Sequence, residues 1–116
     1  MELQLKSQKV WLANEPVDFR KAINGLSELV RNNFKHCLAE GVFVFHNRAK
    51  NRLKLLAFHR NGVMLIYKHL DKKKFTVKQN EPEPYEITES QLSWLLAGLD
   101  WVEMSIFETL VYDDYF

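Results

Sequence analysis

The sequence predicts an α+β domain: an antiparallel sheet of about four or five strands, centred on a hairpin at Asn61-Gly62 and packed by two helices. Two largely apolar runs, Leu53 to Arg60 and Val63 to Leu70, flank Asn61-Gly62, a pair suited to a two-residue type I′ turn. Apolar residues recur at helical spacing after Asp18 and again after Thr88. The chain has 116 residues, 47% of them hydrophobic, which is one core's worth and excludes a disordered or collagen-like polymer. Residues 1–116 are therefore read as one domain carrying an acidic aromatic tail at 102–116.

Taken in order, Val10-Trp11-Leu12-Ala13 suits a short strand, broken by Asn14-Glu15-Pro16. Asp18 is placed to cap a helix whose buried stripe is Phe19, Ile23, Leu26, Val30 and Phe34. Gly25 inside it is costly unless another element packs closely there. Val42-Phe43-Val44-Phe45 is a strand of β-branched and aromatic residues, and His46 to Arg52 reads as a basic turn. In the hairpin, pairing Arg60 with Val63 puts Leu53, Leu55, Ala57, Met64, Ile66 and Leu70 on the core face. Lys54, Phe58, Tyr67 and His69 then face water, with Arg60 on their side. Phe75 to Lys78 begins another strand, and Glu81-Pro82-Glu83-Pro84 forms an acidic linker. Thr88 and Gln91 have capping-box spacing, Leu92, Leu95, Leu96 and Leu99 form the next stripe, and Gly98 with Asp100-Trp101 marks its end. The tail beyond Trp101 is left as an edge strand, a wrap around the body, or a segment ordered only by a partner.

Charge is far from evenly spread. The formal net of +1 hides ten basic side chains and one acid, Asp71, in residues 46–80, against nine acids and no Lys or Arg in residues 81–116. Either the two blocks pair with each other, or one is a polyanion-binding surface and the other binds a basic partner. The lone Cys37 cannot form an intrachain disulfide, no apolar stretch is long enough to span a bilayer, and the amino terminus lacks a secretory pattern. A cytoplasmic protein without a membrane partner is expected.

Catalytic signatures are missing: no Gly-rich phosphate loop, no Gly-x-Ser-x-Gly, no paired Cys-x-x-Cys. His46, His59 and His69 have no usual metal spacing, and Asp18, Asp71 and Asp100 are better explained as cap, turn and helix-end residues. No catalytic residue, metal or cofactor is assigned, and the chain is read as a non-enzyme. By contrast, Arg48, Lys50, Arg52 and Lys54 recur at two-residue steps, which an extended backbone lines along one side, as phosphates require. Phe58 and Tyr67, interleaved with these bases, are of the type that stacks on unpaired nucleobases. The alternative is that a sheet facing water carries Lys and Arg for solubility alone.

An ordered set of short motifs spans residues 9 to 101. It comprises Val10-Trp11-Leu12-Ala13, Asp18-Phe19-Arg20-Lys21, Gly25-Leu26, Leu29-Val30, Val42-Phe43-Val44-Phe45, Asn47-Arg48 and Arg52-Leu53-Lys54-Leu55-Leu56. Asn61-Gly62, Tyr67-Lys68, Leu70, Phe75, Leu92, Leu95-Leu96, Gly98, Leu99 and Asp100-Trp101 complete it. In this set the chain resembles the TnpB accessory proteins encoded by the second reading frame of insertion-sequence family sixty-six, which are distinct from the RNA-guided nucleases of the same name. Family members commonly read Arg-Asn-Arg-Arg-Gly-Asp-Arg where this chain has His46-Asn47-Arg48-Ala49-Lys50-Asn51-Arg52, and carry Trp where it has Ala57 and Phe58. The resemblance implies a factor encoded beside a separate transposase and needed for efficient transposition, with strand transfer assigned to the transposase. On charge and family together, Arg20, Lys21, Arg48, Lys50, Arg52, Lys54, Arg60 and Lys68 are the expected contacts to element-end DNA. The other expectation is an adaptor that recruits or stabilises the transposase through the acidic C-terminal segment.

Overall fold

A computed structural model describes residues 8–115, with side chains through Glu108. The amino-terminal Met-Glu-Leu-Gln-Leu-Lys, on which the expectation of no secretory signal rests, and Phe116 lie outside the described residues.

Strands β1 (Lys9–Leu12), β2 (Gly41–His46), β3 (Arg52–His59), β4 (Gly62–His69) and β5 (Tyr85–Ile87) form one open sheet in the order β4-β3-β2-β1-β5. The predicted α+β class holds, and the sheet is mixed: β1 and β2 are parallel, and every other pairing is antiparallel. Both faces are covered. Val42, Val44, Leu53, Leu55 and Ala57 pack on one side with α2 (Glu89–Leu96) and Trp101, which opens α3 (Trp101–Tyr115). Phe43, Phe45 and Leu56 pack on the other with α1 (Ile23–Leu29) and the turn that follows it. The unbroken apolar run of β2 reflects this double burial, since a strand covered on both sides has no polar face to alternate with.

The hairpin is displaced from its expected register. His59 pairs with Gly62, and Arg60 and Asn61 make the turn, with Arg60 at φ 57. Every pair is thereby shifted by two residues from the predicted one. A shift of two preserves the parity of each side chain, so the core face is the predicted one. The opposite face is largely a second core rather than a wet surface, because Leu56, Val63 and Leu65 pack with Leu26, Val30 and Phe34.

The first helix begins later than expected. Asp18 does not cap it; its carboxylate accepts the Arg20 backbone N–H and holds the Arg20 guanidinium, while α1 starts after Ala22. Phe19 falls outside the helix and Ile23 is exposed. The last turn widens into a π-helical segment, Val30–Phe34, ended by Lys35 at φ 57. That turn sets the Phe34 ring edge-on to Phe43 and Phe45, each at 5.4 Å. The room at Gly25 is taken by the Lys21 side chain of the preceding turn, not by a separate element.

Phe75 to Lys78 is not a strand. Phe75 is buried, but the backbone of Thr76 accepts the Trp101 indole N–H at 2.6 Å and that of Lys78 donates to the Tyr85 hydroxyl at 3.0 Å, so this stretch serves as an anchor. The fifth strand lies instead at Tyr85–Ile87, against β1. The capping box at Thr88 is present with both hydrogen bonds. α2 closes on Gly98 at φ 76, whose N–H reaches Leu95 O while that of Leu99 reaches Trp94 O, the left-handed stop that glycine favours. Of the forms expected for the tail, the edge strand is ruled out, because the tail is helical. Asp100 accepts the Glu103 N–H and starts the 15-residue helix α3.

Candidate nucleic-acid interface

The turn between β2 and β3 is shaped by Asn47. Its carbonyl oxygen accepts the N–H groups of Asn51 and Arg52, both at 3.1 Å, and its amide donates to the Asn51 side chain at 2.7 Å. Such side-chain mimicry of a backbone turn is what Asn supplies best. Lys50 completes the bend at φ 60. Arg48 and Lys50 therefore sit in a turn rather than on an extended strand, and the expected straight stripe of bases is limited to Arg52 and Lys54.

Two backbone bonds fix what lies beside that turn. Leu70 donates to Asn51 O at 2.8 Å, and Phe75 donates to Lys50 O at 2.6 Å. The intervening run Asp71 to Lys74, exposed throughout, is thus folded back against Lys50 and Asn51. Arg52 and His69 are cross-strand partners at the same end of the sheet, and both are exposed.

Lys54 has a different role from the one expected. It is only 8% exposed, and its ammonium donates to the carbonyls of Phe19 at 2.8 Å and Lys21 at 2.9 Å. The same group lies 4.9 Å from the Phe19 ring centre and 5.9 Å from that of Tyr67. Its charge is absorbed by the fold, and what it achieves is to fasten residues 19–21 onto the sheet next to Arg52. Lys21 is carried there, exposed. Arg20 arrives with it, but its guanidinium is held at 2.7 Å by Asp18. That pairing and the Arg20 backbone N–H keep the Asp18 carboxyl down to about 2.

The remaining two candidates lie elsewhere. Arg60 is in the hairpin turn at the far end of β3. Lys68 points to the α2 side of the sheet, where its ammonium donates to Leu96 O at that helix's C-terminus. The fold thus gathers Lys21, Arg48, Lys50 and Arg52, adds Lys72, Lys73, Lys74 and His69, keeps Lys54 inside, and leaves Arg60 and Lys68 apart. The three lysines and His69 were missed because a charged turn read alone is just a solvated turn. The signal was in the hairpin itself: two strands of equal length return residue 69 to residue 52.

No acid of the acidic third forms an ion pair with this end among the described residues. Among the described residues the ion pairs are Arg20–Asp18 and His36–Glu40, both local, and neither joins the basic and acidic blocks. Lys78, the last base of the basic block, lies over the rings of Tyr85 and Trp101 at 5.5 and 5.8 Å. No three His, Cys, Asp or Glu side chains converge into a metal-binding group among the described residues. No helix among them is long and apolar enough to cross a membrane.

Comparison with known proteins bears on most of this chain. The family model for IS66 Orf2-like proteins, TnpB_IS66, matches residues 8–105. The uncharacterized protein y4jC of Sinorhizobium fredii is 31% identical over 100 residues, covering 83% of this chain and 83% of its own. A second uncharacterized protein of that organism, y4hO, is 33% identical over 94 residues, covering 80% of this chain and 82% of its own. No solved structure gives a significant match.

Proposed function

Because the chain belongs to the IS66 Orf2-like family, a transposition-associated one, we propose that it is a non-catalytic accessory factor that binds the insertion sequence's DNA through the basic end of its sheet. The observation that carries the reading is the convergence of three separate pieces of chain, residues 19–21, 47–52 and 71–74, on one end, with Lys21, Arg48, Arg52 and Lys72 to Lys74 exposed and, among the described residues, in no ion pair with the acidic third. Positive groups spread along a path, rather than clustered at a point, are what a phosphate backbone engages. The contacts within this reading are Lys21, Arg48, Lys50, Arg52 and the lysines 72–74, with Arg20 available if phosphate displaces Asp18. Lys54 acts as the strut behind them.

The test is a binding titration with element-end DNA. Arg48→Ala with Arg52→Ala lowers affinity at least tenfold, whereas Arg60→Ala, at the far end of β3, leaves it within about twofold. Equal losses for both variants would remove the basic end from the reading.

A second reading, an adaptor for the transposase, draws on α3. Ile106 and Phe107 are 59% and 67% exposed, and the family model stops at residue 105, just before them. A largely apolar extension whose sequence carries Glu108, Asp113 and Asp114 and no base suits a basic, apolar partner surface. Removal of residues 106–116 abolishes co-purification with the transposase on this reading, and unchanged co-purification counts against it.

A further inference from the structure

Resting on the DNA-binding reading above, we infer that the ligand of the basic end is single-stranded DNA, with an unpaired base stacked on the exposed ring of Tyr67.

The first observation is where the bases are not. Helices α1, α2 and α3 contain no Lys and no Arg between them. A duplex is commonly read by a helix laid in the major groove with basic groups at its flanks. Here α1 is directed inward by Leu26, α2 by Leu92 and Leu95, and α3 presents Glu103 and Glu108. Arg31, in the π-helical turn after α1, and Lys35, which ends it, are the only bases at a helix among the described residues; the clustered positive groups lie on the sheet end and its loops, a surface that tracks a backbone rather than entering a groove.

The second is the state of Tyr67. It is 49% exposed on edge strand β4, yet its ring is held from within. Lys54, its direct cross-strand partner, lies 5.9 Å from the ring centre, and Phe19 meets the ring edge-on at 6.2 Å and 63°. Lys54 is itself fixed by two backbone carbonyls. An aromatic side chain ordered on one side and open on the other loses little freedom when a flat ligand covers it. The π-face of a nucleobase is such a ligand, and in a duplex that face is hidden in the stack.

The third is register. Arg52 and His69 form the next cross-strand pair on the same face, two residues along from Lys54 and Tyr67. Two residues of strand span about 7 Å, a step suited to a base on Tyr67 and its neighbouring phosphate on Arg52. The strand of DNA then continues toward Arg48 and Lys50 in the adjoining turn. Phe58, the other exposed aromatic of β3 and β4 on this face, pairs with Val63 near the far turn and lies outside this path.

The test uses the full chain and fluorescence anisotropy with a short oligothymidine and a duplex of matching length at one salt concentration. The wild-type chain binds the single strand more tightly than the duplex. Tyr67→Leu, which keeps an apolar side chain against Phe19 and removes the aromatic face, lowers single-strand affinity about tenfold and leaves duplex affinity unchanged; Tyr67→Phe retains binding. Thermal melting of Tyr67→Leu checks that the fold stands, and Tyr67→Phe carries the comparison if it does not: a loss there, with the ring intact, overturns the stacking. Equal affinity of wild type and Tyr67→Leu for the single strand, with Arg52→Ala weakening both ligands, overturns the inference and leaves the DNA-binding reading in place. Failure to bind either ligand overturns both.

Discussion

Lys54 shows how a buried cation organises a surface it does not itself supply. Two carbonyls, of Phe19 and Lys21, have its ammonium as partner, and neither residue belongs to a helix or strand. Lys54→Met keeps the length of the side chain and leaves both carbonyls without that donor, so unfolding free energy falls by ~1–3 kcal/mol in urea titration. Segment 19–21 is then untethered, and backbone amide exchange there accelerates more than in β2. His46 gives a second consequence at this scale. Its ring is buried at the end of β2, with Nε2 3.2 Å from Ala13 O and Nδ1 3.3 Å from Asn47 O. Burial holds its pKa below the usual value of 6.5, against the two carbonyls, which act in the opposite direction. The unfolded chain therefore takes up a proton that the folded one resists. The stabilisation is full above about pH 6.5 and is lost as pH falls below it toward the lowered folded value. Asp18 and Glu40, both lowered, lose their contribution only further down, in the carboxylate range. Unfolding free energy measured from about pH 7.5 to about pH 5 falls more steeply in wild type than in His46→Gln.

Among the elements, the hairpin separates what a sequence states from what it leaves to the fold. Alternation fixed which residues of β3 and β4 share a face, because a two-residue slip does not change parity. It could not fix the register, since Arg60 tolerates φ 57 as an Asn would and both pairings bury the same leucines. Thr88 with Gln91 and Gly98 were legible because caps are local chemistry. The strand at Tyr85–Ile87 was not, being three residues long and defined by its pairing with β1. α3 escaped for a related reason: apolar residues lie all around it, so no stripe announces a helix, and Asp100 reads as an ending when it is a beginning. Its first turns are anchored by the Trp101 indole on Thr76 and by the Gln91 amide, which donates to the Ser105 hydroxyl. Those anchors precede residue 106, so the truncated chain ending at Ser105 melts within a few degrees of the full one, by about the margin of surface substitutions. A collapse of the fold on truncation would show instead that the extension is part of the core.

For the whole molecule, the formal net of +1 is a cancellation between ends that do not pair among the described residues. The basic block was visible in the sequence, but its geometry was not. Two of the eight expected contacts, Arg60 and Lys68, are carried away by the length and face of their strands, and Lys54 is drawn inside by carbonyls of a distant loop. What the sequence lacked was the closure of residues 71–74 onto Lys50, a non-local contact made through backbone atoms that carry no residue signature. The central claim is that this assembled end engages a DNA backbone, and the most direct measurement is the salt dependence of binding to element-end DNA. With about seven phosphates neutralised by Lys21, Arg48, Lys50, Arg52 and Lys72 to Lys74, log affinity falls linearly with log salt at a slope of about −5 to −6, and losing Arg48 and Arg52 together brings it roughly 1.5 closer to zero. A slope near zero, or one that the Arg48→Ala/Arg52→Ala chain leaves unchanged, would contradict the account.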